Sequence, residues 1–127
     1  MRSFLPVAVL LFVLASFCII YTNASERFVS DMYAYTEQLE KNQFSNLKNV
    51  DLLQDLENTF LKKEPLFSPF MNHDILEETK NHILRAKLLF ELGNEDLFRL
   101  EIRTLKTHLG DIIDEQKANF SNILKKE

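Results

Sequence analysis

A chain of 127 residues with 15 basic and 19 acidic side chains is long enough for one small domain and lacks the cationic surplus that phosphate-driven nucleic-acid binding needs. Apolar residues make up 46% and most of the eleven phenylalanines fall beyond residue 25, which excludes a disordered chain. One cysteine excludes an internal disulfide or a Cys-based zinc centre, and two glycines and three prolines beside abundant Leu, Glu and Lys indicate an all-α fold.

The first element is Phe4 to Tyr21, FLPVAVLLFVLASFCIIY, a run without a charge. As a helix it covers about 27 Å, close to the hydrocarbon thickness of a bilayer. Tyr21 falls at an interfacial depth, and Pro6 in the first turns costs little. A cleaved signal peptide is the rival reading; its apolar core is usually shorter, and Thr22-Asn23-Ala24 offers only an approximate cut site. An uncleaved anchor over 1–25 is therefore expected, with the bilayer as the partner of Phe4 to Tyr21. Bulky Phe17 before Cys18 argues against lipoprotein processing. Arg2 and the terminal amine precede the segment and only Arg27 follows closely, so the N-terminus is expected in the cytoplasm and residues 26–127 outside. Cleavage would make the protein secreted.

Beyond the anchor, Phe28, Met32, Tyr35 and Leu39 recur as one helical face, with nothing to interrupt the helix before about Lys41. Asn42 to Asn46 is the first break. A second helix is expected from Ser45 or Asn46 to Lys63, with Leu47, Val50, Leu53, Leu56 and Phe60 inward and Pro65 as its stop. The segment EPLFSPFMN holds two prolines and four large apolar residues, Leu66, Phe67, Phe70 and Met71. It reads as a plug over the bundle end or, more sharply, as a patch that grips a partner; the plug is preferred.

Asp74 and Glu77 form a capping-box spacing for the third helix, with Ser68-Pro69 as a competing start. Gly93 ends that helix and Asn94 caps the fourth at once, so the two form an antiparallel hairpin. The third helix has two apolar stripes. Ile75, Thr79, Ile83, Ala86 and Phe90 line one side; Leu84, Leu88 and Leu92 line nearly the opposite side. Such a helix is sandwiched within its own bundle or shared with another chain, and internal burial is preferred over self-association. The fourth helix sustains a seam through Phe98, Ile102, Leu105, Leu109, Ile112, Gln116, Phe120 and Ile123. The expected fold is all-α, a single N-terminal transmembrane helix followed by a three- to four-helix antiparallel bundle.

His73-Asp74 at the third helix start, Arg85 within it, Asn94-Glu95-Asp96 at the turn and Asn122-Ile123-Leu124 at the close resemble a domain-of-unknown-function family of short bacterial proteins with one hydrophobic N-terminal helix. The family is common in spore-forming Gram-positive bacteria. The resemblance implies this architecture and a bacterial envelope setting, and carries no activity or catalytic residues. Thr79, Asn81 and His82 depart from it, standing where more regular helix formers are expected.

Two kinds of candidate site follow. Glu78 and His82 lie one turn apart, and in a hairpin closing at Gly93 His108 and Asp111 stand near their level, so Glu78, His82, His108 and Asp111 are a possible metal cluster. No strict metal motif supports it, and ordinary, partly buried histidines are the plainer reading. Leu84, Leu88, Leu92, Phe67, Phe70 and Met71 are the candidate docking residues. Without a nucleophile elbow or a glycine loop, no enzyme and no cofactor are expected. Asn23-Ala24-Ser25 and Asn119-Phe120-Ser121 match a glycosylation acceptor by chance. The leading expectation is a non-enzymatic envelope protein docking on a protein partner, with small-ligand or metal binding as the alternative.

Overall fold

A computed structural model describes residues 4–69 and 71–125, with side chains through residue 118. Four helices follow one another: α1 (Phe4–Lys41), α2 (Lys48–Phe67), α3 (His73–Glu91) and α4 (Glu95–Lys125). Each packs on its chain neighbours and α4 closes back on α1, which makes an up-down-up-down bundle.

α1 belongs to two settings without a break. Its first part holds an 18-residue window of mean hydropathy 2.6, none of it buried, and is the one described helix long and apolar enough to cross a membrane. Its second part buries Ser25, Phe28, Val29, Met32, Thr36 and Leu39 in the bundle. Thr36 sits among them because its hydroxyl donates to the Tyr33 carbonyl at 2.7 Å, leaving only its methyl to pack.

α2 buries Leu53, Leu56 and Phe60 as expected and departs from expectation at its two ends. Leu47 and Val50 face solvent, while Asn49 is fully buried. The reason is local: the Asn49 amide donates to the carbonyls of Gln43 (2.9 Å) and Phe44 (3.3 Å) and its oxygen accepts from Asn42 at 3.2 Å. Asn49, rather than Val50, thus takes the inward position one turn before Leu53, and the two aliphatic residues stay outward. Nor does Pro65 stop the helix, which runs on to Phe67. The ring removes one backbone bond, but Phe67 then reaches the core, 5.1 Å from Phe28 with near-parallel rings and 5.3 Å edge-on from Tyr21. Phe67 is thus a plug, Met71 is half-buried beside it with its sulfur 3.9 Å from the Ser25 hydroxyl, and Leu66 stays exposed. Phe70 lies outside the described residues.

The α3–α4 hairpin forms as its residues require. Asn72, rather than Ser68 or Asp74, is the cap of α3, its side-chain oxygen accepting from the Asp74 amide at 2.8 Å. Gly93 takes the left-handed conformation (φ 71°), and the Asn94 side chain accepts from the Leu97 amide at 3.2 Å. Along α4, Phe98, Ile102, Leu105, Leu109 and Ile112 are buried as the seam demands, and Gln116 donates to the Ser25 hydroxyl at 2.8 Å. Phe120 and Ile123 lie outside the described side chains. Aromatic rings close both ends of the bundle: Phe28, Phe60 and Phe67 near the apolar segment, and Phe44, Phe90 and Phe98 at the far end.

The second stripe of α3 is a correction. Leu84, Leu88 and Leu92 are 45%, 54% and 70% exposed, so they are not sandwiched within the bundle. The first stripe, joined by Leu76 and His82, already fills the contact with the neighbouring helices and leaves no element for the second.

Candidate functional site

The polar residues that interrupt the helical pattern of α3 gather against α4. Thr79 is one turn before His82, and both point into the helix pair, at 2% and 6% exposure. A buried threonine in a helix needs a partner, and its hydroxyl donates back to the Ile75 carbonyl at 2.8 Å. With that proton committed, the same oxygen can only accept from the His108 Nε2 of α4, 2.7 Å away. With the hydroxyl so directed, a neutral His108 carries its proton on Nε2 and a lone pair on Nδ1.

His82 is fixed in a comparable way. Its Nδ1 lies 2.6 Å from a Glu101 carboxylate oxygen, a contact that requires the imidazole proton between them. The Arg85 Nη2 is 3.1 Å from the same nitrogen, but a protonated nitrogen cannot accept from it; Arg85 instead pairs with Glu101 through Nε at 3.3 Å. The lone pair of His82 is left on Nε2. The two imidazoles lie 5.5 Å apart between centroids.

Glu78, one turn before His82, faces both free nitrogens. Its oxygens stand 3.7 Å from His82 Nε2 and 4.0 Å from His108 Nδ1. Ligand atoms of Glu78, His82 and His108 all fall within 4.8 Å of one another. They open onto a shallow groove of about 460 Å³ that Arg103, Thr107 and Asp111 also line. Three of the four candidate ligands are thus brought together; Asp111 lines the groove but stands outside the close set.

Glu101 and Thr79 escape a reading by ligand spacing, although both hold the histidines. The signal for Glu101 lay in the hairpin register: with the turn at Gly93, it stands about one turn from the level of His82, on the opposite side of that level from His108. The other candidates fall apart. Phe67 and Met71 pack into the bundle end, whereas Leu84, Leu88 and Leu92 form an exposed row on a different side of α3.

A family model described as Domain of unknown function (DUF4363) matches residues 19–123. No curated protein and no solved structure matches the chain.

Proposed function

The chain belongs to the DUF4363 family, and we propose that this member is a membrane-tethered, non-enzymatic envelope protein whose bundle docks on a neighbouring membrane protein. The observation that carries this reading is the row Leu84, Leu88 and Leu92, spaced as a helical ridge and 45–70% exposed. A ridge of that kind fits the groove of an amphipathic helix on a partner. The bilayer is a poorer occupant. α1 climbs away from the apolar segment, and Phe44 beyond its end stacks on Phe90 and Phe98, so Leu92 sits at the end of the bundle farthest from lipid. A second copy is opposed by charge, since setting Arg2 aside leaves 14 basic against 19 acidic residues and a net of −5.

The tether reading rests on α1 being a single helix in which Tyr21, upstream of the approximate cut site, packs its ring on Phe67. Arg2 ahead of the segment orients the body outward.

A photoreactive residue in place of Leu92, irradiated in intact membranes, is expected to yield a discrete heteromeric adduct that disappears in a Leu84→Glu/Leu88→Glu variant. An adduct indifferent to those glutamates would sink the docking face. An adduct of twice the chain mass would make the occupant a second copy.

A further inference from the structure

We propose that Glu78, His82 and His108 form a binding site for one Zn²⁺ ion at the mouth of the α3–α4 groove, with Glu101 and Thr79 holding the two imidazoles in the tautomers that bind it. This goes beyond docking, which uses a different side of α3.

The inference rests on where the lone pairs point. Glu101 takes the Nδ1 proton of His82 and Thr79 takes the Nε2 proton of His108, so each ring presents a bare nitrogen on the side of Glu78. With both rings neutral, two lone pairs and a carboxylate face one another. Such a grouping attracts a cation, whether a proton on one of the rings or a metal ion among the three groups. A histidine whose remote N–H is held by a carboxylate is also the arrangement by which proteins orient a metal-bound imidazole and raise its basicity. Two neutral imidazoles and one carboxylate, with the fourth position open to water, match a three-ligand zinc site.

The distances are those of an open set, its ligand atoms within 4.8 Å of one another, that would draw together on an ion. Tetrahedral ligands about 2.0–2.1 Å from zinc stand about 3.3 Å from one another. Here the glutamate–imidazole separations are 3.7 and 4.0 Å. The imidazoles are fixed, while Glu78 is 59% exposed at its side chain and free to draw in. Asp111 also lines the groove. Of the nearby cations, Arg85 is engaged by Glu101, and Arg103 lines the groove without appearing among the ligand contacts.

The test uses the full chain in detergent, free of any polyhistidine tag and stripped with chelator, titrated with ZnCl₂ by calorimetry and with Co²⁺ by absorption. One Zn²⁺ per chain is expected, with a rise in Tm and intense visible bands from tetrahedral Co²⁺. Glu78→Gln, which alters an exposed side chain and keeps the fold, should weaken binding at least tenfold. Glu101→Gln should weaken it by about 10–100-fold through the positioning of His82. His73→Ala, changing an exposed histidine elsewhere on α3, should leave it unchanged. The site is overturned if no stoichiometric binding is seen, if Glu78→Gln binds as well as the parent, or if His73→Ala removes the binding.

Discussion

The two sides of α3 invert what hydropathy alone would assign. On the side toward α4, Thr79 and His82 are buried; on another, Leu84, Leu88 and Leu92 stand in solvent. The polar side is stable because every buried proton has an acceptor: Thr79 to Ile75, His108 to Thr79, His82 to Glu101. The leucine side is tolerated because scattered apolar exposure costs a folded chain little, yet three leucines in register form a row rather than scatter. Burial in this helix follows partners, and the side without a partner in the chain is the one assigned to a partner outside it.

The sharpest way to break that contrast is to make the same change on adjacent residues. Ile83 is 2% exposed and Leu84 is 45% exposed. Ile83→Ala is expected to cost about 2–5 kcal/mol, through lost transfer energy and the cavity left behind. Leu84→Ala should stay within about 0.5 kcal/mol. Urea unfolding of the detergent-solubilised chain compares them directly, and equal losses would mean that the leucine row is covered within the protein after all.

A second experiment separates satisfaction from hydrophobicity on the polar side. Glu101→Leu leaves the buried His82 Nδ1–H without an acceptor and is expected to cost about 1–3 kcal/mol. Adding His82→Leu removes the stranded group as well and should recover most of that loss, since an apolar pair of suitable volume is often as stable as the polar one it replaces. The doubly substituted chain would then fold without its zinc ligand set, which identifies the cluster as serving a ligand rather than the fold. Failure of the second leucine to restore stability would instead make His82 a packing element that no leucine can mimic.

What the sequence disclosed of this contrast depended on how local the cause was. The α3–α4 hairpin was legible because Gly93 and Asn94 encode their own backbone solutions, and the seam of α4 because five consecutive contacts repeat one spacing. The first turn of α2 was hidden, since Asn49 takes its burial from carbonyls in the preceding loop that no periodicity reveals, whereas Leu53, Leu56 and Phe60 followed the pattern. Pro65 misled for a related reason: the cost of a proline in a last turn is local, whereas the stacking of Phe67 on Phe28 that offsets it is tertiary. In the candidate site, the pairing of Glu78 with His82 was readable from the helix repeat. The choice of tautomer was not, because it depends on Thr79 and Glu101 touching rings across two helices. Thr79 and His82, which depart from the family resemblance, are the residues that this contact uses.

The smallest effect lies where α3 meets α2, beside the leucine row. Lys87 donates to Glu57 at 2.9 Å, and that hydrogen bond, followed by the attraction of the Glu57 charge and, after a small opposing desolvation, that of Glu91, raises the lysine above its ordinary value of 10.5. A group bound more tightly as a cation in the folded chain stabilises it fully below its unfolded value, and that contribution disappears as pH rises through the folded value. Lys87→Met should therefore lower Tm slightly, as a partly exposed ion pair contributes little. From neutral pH upward the difference from the parent should stay constant until about pH 10 and close only in more alkaline solution. A Tm difference that closed already between neutrality and pH 9 would show that Lys87 loses its proton more readily in the folded chain, and that Glu57 does not hold it as a cation.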